Sequence, residues 1–281
     1  MNLKDFIKEY NTILDNVGIA NANFELTYLI SETLNIDIKN LYLNDNIILS
    51  QKQKLKLIAL IKERLKGKPL DRVLNIKYFR DIILKLNKNV FSPRIDTEFL
   101  IDIIVTKKIS PKNILELGTG SGCIIISLLK EFSNSIGLAT DIKLEAIYIA
   151  KKNAILNNVF NRVDFLCSNW LNAIGQLSKF DLIISNPPYI KSGEIKGLDP
   201  EVSMFDPLPA LDGGEDGLFA YRSIIEKLEK LEVRKDTKLL FEIGYDQASD
   251  VEALMRNANF RNIETFKDYE QNYRCVIGSI K

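Results

Sequence analysis

Histidine is absent from the 281-residue sequence, and its absence excludes several kinds of chemistry. A Ser-His-Asp or Cys-His nucleophile cannot be assembled, and neither can a zinc site with histidine ligands. The usual general base at neutral pH is missing as well. Any catalysis must therefore use carboxylates, amides, hydroxyls, lysines or backbone groups.

Cysteine and long apolar runs are also scarce. The three cysteines, Cys123, Cys167 and Cys275, lie far apart and lack Cys-x-x-Cys spacing, which argues against a disulfide framework and a metal site. No apolar run approaches the roughly 18–20 residues that span a bilayer. The N-terminal sequence MNLKDFIKEY lacks the apolar core of a secretory signal. We therefore expect a cytoplasmic protein with no metal and no membrane partner.

Charge is nearly balanced overall but is unevenly distributed. The net charge is +1, whereas residues 1–90 contain 15 Lys and Arg against 10 Asp and Glu. The positive excess is densest in residues 51–80. This segment can be a solvated helix face or a docking patch for an acidic or RNA-associated partner, and the composition leaves both open.

The first 92 residues divide into a helical part and a short irregular part. Apolar spacing predicts four or five helices within residues 1–75, one of them starting at the N-cap Ser50 and stopped by Gly67 and Pro69. Residues 76–92 alternate loosely and break at Asn87, which predicts a hairpin-like connection. Asp96 or Thr97 can then cap a helix that begins at Glu98.

The remainder alternates between strands and helices. Predicted strands cover residues 114–117, 135–140, 163–167, 182–185, 238–243, 263–266 and 273–277. This alternation predicts an α/β domain in which a mostly parallel sheet carries helices on both faces. Ligands of such sheets bind at the carboxyl ends of the strands, near the topological switch point.

The ends of the first three strands carry candidate binding residues. The first strand ends in LELGTGSG, and glycines at this turn let a ligand approach the backbone. Asp141 follows the second strand and can accept hydrogen bonds from both hydroxyls of a ribose. After the third strand, the Asn169 amide can bind an adenine edge and Trp170 can cover the ring. A tight turn, a solvated aspartate and a packed tryptophan are the structural alternatives.

The fourth strand ends in NPPY, residues Asn186, Pro187, Pro188 and Tyr189. Neither proline can donate a ladder hydrogen bond, so the strand stops and the direction of the Pro187 carbonyl is fixed. This carbonyl and the Asn186 side-chain oxygen can accept from the two N–H groups of a planar nitrogen. The nitrogen can then pyramidalise and receive a methyl group while the Tyr189 ring covers it. Such chemistry needs no histidine.

LELGTGSG, Asp141 and NPPY together resemble the S-adenosylmethionine-dependent N-methyltransferases of the Rossmann-like class. Over nearly the whole chain, the sequence more narrowly resembles the peptide chain release factor N5-glutamine methyltransferases, the PrmC/HemK family. NPPY alone does not distinguish this family from DNA adenine or RNA guanine methylases. The narrower resemblance is carried by PRIDTE (93–98), DPLPALDGGEDGL (206–218), FEIGYDQ (241–247) and DYEQNYRCVIG (268–278).

The resemblance implies a Rossmann-like class I methyltransferase with a mostly parallel seven-stranded sheet and a small all-α N-terminal domain. Residues 1–75 would recognise the substrate, 76–92 would be a linker, and 93–281 would be the methyltransferase domain. The implied cofactor is S-adenosylmethionine. The implied reaction methylates the side-chain nitrogen of the glutamine in the Gly-Gly-Gln motif of release factors. We expect a monomer whose partners are these release factors, with no direct nucleic-acid partner.

The resemblance also assigns roles to individual residues. The implied catalytic residues are Asn186, Pro187 and Tyr189, and Pro188 joins them in the substrate clamp. Asn169 stands where the family usually has Asp and brings no charge to the adenine side. Ile95 stands where the family often has proline. The implied cofactor-binding residues are Gly118, Thr119, Gly120, Ser121, Gly122, Asp141, Asn169, Trp170 and Asn186.

Three other interpretations of the sequence stay open. A ribosomal-protein glutamine N5-methyltransferase shares NPPY, but PRIDTE and the helical N-terminal part favour release factors. A nucleic-acid amino-methyltransferase is disfavoured by the nearly neutral charge. A catalytically silent binding module is disfavoured by the intact NPPY sequence.

Overall fold

The computed structural model describes residues 1–43 and 47–281. The chain forms two compact units, Met1–Asn75 and Ile76–Lys281. Within the described ranges, none of the helices is long and apolar enough to cross a membrane.

The regular structure in the described part of the first unit consists of helices, with one isolated β-bridge between Asn2 and Ile48. Helix α4 begins as predicted, because Ser50 and Gln53 form a reciprocal capping box. Its C-cap is Lys66, and Gly67 follows with φ 85° and permits the left-handed stop. The helices are α1 (Leu3–Asn16), α2 (Ala22–Leu34), α3 (Ile38–Leu43), α4 (Gln51–Leu65) and α5 (Leu70–Leu74).

Arg64 departs from the expectation that the basic segment is a solvated face or a docking patch. Its side chain is buried, and its Nε and Nη2 atoms donate to the two carboxylate oxygens of Glu25 at 2.6 and 3.1 Å. A bidentate pair of this kind joins α4 to α2. Arg64 is thus part of the internal structure of this unit, while Lys62 and Lys66 are exposed.

The second unit contains a seven-stranded sheet in the order β5-β4-β3-β6-β7-β9-β8. Strands β3 to β7 run parallel, whereas β9 is antiparallel to both neighbours. This confirms the predicted mostly parallel sheet. Its strands are β3 (Asn113–Leu117), β4 (Ile136–Asp141), β5 (Val163–Cys167), β6 (Leu182–Ser185), β7 (Lys238–Glu242), β8 (Arg261–Lys267) and β9 (Tyr273–Ser279).

Helices cover both faces of this sheet, as parallel strands require. Side chains of α6, α7 and α8 pack on one face, and those of α10 and α11 pack on the other. Alternate strand residues supply the two cores, as Ile183 and Ile184 of β6 do. The helices are α6 (Glu98–Thr106), α7 (Cys123–Glu131), α8 (Leu144–Leu156), α9 (Pro200–Ser203), α10 (Phe219–Leu228) and α11 (Ala248–Asn257).

The hairpin lies earlier in the chain than the predicted break at Asn87. Strands β1 (Ile76–Phe79) and β2 (Ile82–Lys85) are joined at Arg80, whose φ of 49° is left-handed. The backbone groups along the other edge of β2 form hydrogen bonds with two asparagines at the end of α8. Asn153 exchanges hydrogen bonds with the Lys85 backbone, and Asn157 exchanges them with the Ile83 backbone. These hydrogen bonds hold the hairpin against α8 within the second unit.

The topological switch point lies between β3 and β6. After β3 the chain builds β4 and β5 on one side, and it then returns to place β6 on the other side of β3. Leu117 of β3 pairs with Ser185 of β6. Gly118 and Asn186, which follow these two residues, consequently leave the sheet side by side.

Candidate active site

A cavity of about 720 Å³ opens at the carboxyl ends of β3, β4, β5 and β6. Its volume is in the usual range for a small-molecule site. Nearly all the sequence-predicted site residues line it, and only Gly122 does not. The predicted residues on its wall are Gly118, Thr119, Gly120, Ser121, Asp141, Asn169, Trp170, Asn186, Pro187, Pro188 and Tyr189.

The glycine turn between β3 and α7 is held against the end of β4. The amides of Gly118 and Thr119 donate to the Thr140 carbonyl at 2.9 and 2.8 Å. Gly118 has φ 75°, and a Cβ there would come within 3.2 Å of the Trp170 ring. Gly122 serves packing, because a Cβ on it would meet Ala150 of α8 at 3.2 Å.

Asp141 ends β4 and receives backbone hydrogen bonds on both carboxylate oxygens. Oδ2 accepts from the Gly120 amide and Oδ1 from the Lys143 amide, each at 2.9 Å. Burial raises the pKa of Asp141 above its ordinary value, although these amides counteract the rise. The carboxylate is thus fixed between the glycine turn and the start of α8, and Asp141 lines the cavity.

Asn169 and Trp170 follow β5 on the same wall. Asn169 is exposed, whereas Trp170 is half-buried and adopts a left-handed backbone with φ 49°. The indole ring lies against Gly118 and against the apolar core beneath the loop. Trp170 therefore packs under the loop, as one of the two alternatives from the sequence predicted, and it also lines the cavity, while its covering of an adenine ring stays a prediction.

Glu116 is a site residue that the sequence interpretation missed. It is fully buried in β3, and its Oε2 accepts from the Thr119 hydroxyl at 2.5 Å and from the Ile125 amide at 3.3 Å. Its Oε1 has no hydrogen-bond partner within the described residues. Burial raises the pKa of Glu116 to about 8. An acidic residue inside an otherwise apolar strand was the available signal.

The NPPY residues begin directly after β6. The Asn186 Nδ2 donates to the Thr97 hydroxyl at 3.1 Å. Within residues 1–43 and 47–281, neither Asn186 Oδ1 nor the Pro187 carbonyl accepts a hydrogen bond. Both residues line the cavity. Burial raises the pKa of Tyr189 above its ordinary value, so its phenol stays neutral.

Gln247 explains why FEIGYDQ and ALDGGEDGL accompany NPPY. Its Nε2 donates to the carbonyls of Tyr189 at 2.9 Å and Gly217 at 3.2 Å, while its Oε1 accepts from the Gly244 amide at 3.0 Å. A Cβ on Gly213 would come within 2.7 Å of the Tyr189 backbone. The three loops are therefore packed so closely that Tyr189 has little freedom.

The chemistry of the cavity wall fits S-adenosylmethionine. The unpartnered Glu116 Oε1 is an acceptor for an ammonium group, and the fixed Asp141 carboxylate is an acceptor for ribose hydroxyls. Asn169 can bind an adenine edge, and Trp170 presents an aromatic surface. Gly120 has no atom within 4 Å of a Cβ position, so the backbone is open to a ligand there.

The sheet order, the glycine turn and the acidic end of β4 define a class I methyltransferase. Residues 81–198 match the family model "Methyltransferase small domain", and residues 5–74 match "PrmC N-terminal domain". A release factor glutamine methyltransferase of Agrobacterium fabrum is 36% identical over 270 residues, which cover 94% of this chain and 92% of that protein. The chain belongs to the release factor glutamine methyltransferase family.

Two further comparisons bear on length and on fold. A bifunctional methyltransferase of Rickettsia typhi is 36% identical over 295 residues, but the match covers 98% of this chain and only 57% of that protein. The crystal structure of a ribosomal protein L11 methylase from Lactobacillus delbrueckii subsp. bulgaricus is similar with a TM-score of 0.51 and 20% identity. That match covers 70% of this chain and 83% of that one, and it shows the shared fold.

Proposed function

We propose that this protein methylates the side-chain amide nitrogen of the glutamine in the Gly-Gly-Gln motif of peptide chain release factors. The observation that carries the proposal is the pair of open acceptors at the cavity, Asn186 Oδ1 and the Pro187 carbonyl. A primary amide has two N–H groups, and the two acceptors match that number. The name of the Agrobacterium fabrum relative supports a release factor as the protein that carries this glutamine.

The cofactor, S-adenosylmethionine, supplies an electrophilic methyl group when it is bound. Glu116, Asp141, Asn169 and Trp170 would hold it. Asn186 and Pro187 would accept from the glutamine N–H groups, orient the nitrogen lone pair and stabilise the positive charge that develops on that nitrogen. Tyr189 would cover the acceptor amide with its neutral ring. The methylated nitrogen would afterwards release one proton to water, so no strong base is required.

The supporting parts of the proposal concern domains and cellular context. We propose that residues 1–75 recognise the release factor, since residues 5–74 match the PrmC N-terminal domain model. We expect a monomer, because residues 89–220 already provide candidate groups for both the cofactor and the acceptor amide. The free cysteines support a reducing, cytoplasmic location, and a net charge of +1 gives little attraction for nucleic acid.

Incubation with labelled S-adenosylmethionine and a purified release factor tests this function, with a ribosomal protein extract and DNA as parallel substrates. We expect methyl transfer to the Gly-Gly-Gln glutamine, located by peptide mass spectrometry. Methylation of ribosomal protein or DNA alone would overturn the proposed substrate.

The Asn186→Ala variant tests the role of the open acceptors. We expect turnover to fall by at least about 100-fold, because one of two preorganised acceptors is lost. Calorimetry with S-adenosylhomocysteine should still show cofactor-site binding. Asn172→Ala is the matched control, since Asn172 is exposed and outside the cavity. Methylation by Asn186→Ala at the rate of this control would remove Asn186 from the mechanism.

A further inference from the structure

The hydroxyl of Thr97 forms its hydrogen bond outside its own helix. Thr97 ends a short 3-10 turn, Ile95–Thr97, that runs directly into α6, and its helical backbone leaves no cap bond for its side chain to make. The residue is only 1% exposed. Its Oγ1 accepts from Asn186 Nδ2 at 3.1 Å, across 89 positions of sequence. The buried hydroxyl is therefore directed to the NPPY residues.

Glu242 lies on the other side of Asn186 because of the strand register. Ser185 pairs with Phe241, so the next residues along β6 and β7, Asn186 and Glu242, emerge together. The Glu242 carboxyl is buried, and its polar interactions with Thr97 and Asn186 favour its ionised form. Its Oε2 has no partner within the described ranges. Like Glu116, Glu242 interrupts an apolar strand, and the sequence interpretation assigned it no role.

The one hydrogen bond among these three side chains runs from Asn186 to Thr97, and the Thr97 proton is left for another acceptor. An ionised carboxylate can only accept, so Glu242 favours a Thr97 hydroxyl whose proton is turned toward it. The lone pairs of that hydroxyl then accept from Asn186, which fixes the amide nitrogen of Asn186 toward β7. Its oxygen must therefore face the cavity. A rotated amide would present N–H groups to the N–H groups of the substrate, and the interaction would be repulsive.

The loop that carries Thr97 is itself anchored by ion pairs. Arg274 of β9 contacts Asp96 at 3.1 Å and Asp268 at 2.8 Å. Arg94 contacts the buried Asp206 at 2.7 Å, which joins PRIDTE to the DPLPAL segment. The ion pairs of Arg94 and Asp96 thus fix the segment that precedes Thr97, and they restrict the position of Thr97 beside Asn186.

We propose that Thr97 and Glu242 are positioning residues which orient the Asn186 side chain so that its oxygen, and not its nitrogen, meets the glutamine amide. The inference rests on the proposed function, and it gives Thr97 of PRIDTE and Glu242 of FEIGYDQ a role in that function.

Protonation of Glu242 should disturb this orientation. Burial raises the pKa of Glu242 to about 7, with hydrogen bonds from Thr97 and Asn186 acting in the opposite direction. A protonated carboxyl can donate to Thr97, which frees the hydroxyl to donate to the Asn186 oxygen and permits the rotated amide. The turnover number should then fall as the pH drops below about 7. The charged and titratable groups that interact with Glu242 are Asp96, Arg274, Tyr189, Tyr221, Cys123 and Cys275.

The first test replaces the hydroxyl of Thr97 without changing its shape. We expect Thr97→Val to lower kcat by roughly 10- to 100-fold with the affinity for S-adenosylhomocysteine within about twofold of wild type. Thr97→Ser, which restores the hydroxyl, should recover kcat to within about fivefold of wild type. Thr237→Val is the matched control, because Thr237 is also 1% exposed and loses one hydrogen bond, to the Phe180 carbonyl, at the opposite end of β7. Equal kcat in Thr97→Val and Thr237→Val would overturn the inference.

The second test measures the pH dependence of kcat, and it does not depend on whether the Thr97→Val variant folds. Wild-type kcat on a release factor should show a single-proton loss of activity centred near pH 7, and Glu242→Gln should have a low kcat without that titration. A wild-type kcat that stays flat from pH 5.5 to 8.5, or the same titration in Glu242→Gln, would contradict the positioning role. Wild-type protein that methylates no release factor at any pH would instead refute the proposed function, so the two failures are distinguishable.

Discussion

A buried carboxyl on the cavity wall gives a stability prediction with a defined pH range. Burial moves the pKa of Glu116 from 4.5 to about 8. A pKa shift of one unit corresponds to about 1.4 kcal/mol. Ionising Glu116 in the folded state therefore costs about 5 kcal/mol more than ionising it in the unfolded chain. The folded state keeps the proton over a range where the unfolded state has lost it. The free energy of unfolding should therefore fall as the pH rises from about 4.5 to 8.

Glu116→Gln removes this titration while keeping the shape of the side chain. The amide oxygen can still accept from Thr119 and Ile125, and the amide nitrogen replaces the unpartnered Oε1. From pH 5 to pH 8.5 the wild type should lose about 4 kcal/mol more unfolding free energy than the variant does. Glu242 titrates in the same direction, but it is present in both proteins and cancels in the comparison.

Urea unfolding at several pH values, followed by Trp170 fluorescence, measures this difference. Trp170 is the single tryptophan and lies in the second unit, so its signal reports the unit that contains Glu116. Glu131→Gln is the matched control, since Glu131 is exposed at the end of α7. At pH 8.5, where the Glu116 carboxyl is ionised, Glu116→Gln should also weaken S-adenosylhomocysteine binding about 10-fold, because an ammonium group loses its charged acceptor. Parallel pH profiles for wild type and Glu116→Gln would refute the reasoning.

Two further substitutions test separate parts of the site. Asp141→Ala should weaken S-adenosylhomocysteine binding by at least about 10-fold in calorimetry, because the ribose acceptor is lost, and an unchanged affinity would exclude Asp141 from the site. Gly217→Ala should lower both the unfolding temperature and kcat, because its Cβ would lie 2.5 Å from the Gln247 side chain and from the Tyr189 carbonyl oxygen, at φ 77°. Gly175→Ala, whose Cβ would meet no atom within 4 Å, is its control, and equal effects of the two substitutions would contradict the packing argument.

Local patterns predicted the elements of the sheet domain well. The limits of β5 and β6 coincide with the predicted strands, and the Ser50 cap of α4 is present. The hairpin lies within the predicted residues 76–92, but its turn was not located, because the turn uses Arg80 in a left-handed conformation and carries no glycine or proline signal. Arg64 could not be recognised as buried, because its partner Glu25 lies 39 residues away.

The sequence by itself determined the kind of site. Residues 118–122, 141 and 186–189 each sit at the end of a strand, and strand ends follow from local apolar patterning and from glycine and proline. Only the tertiary structure decided how these residues are supported. Thr97, Glu116, Glu242 and Gln247 act through atoms that strand register and loop packing bring together from distant positions. Such contacts follow from how the strands are aligned, which no single stretch of sequence specifies, whereas a strand end is a local property of the chain.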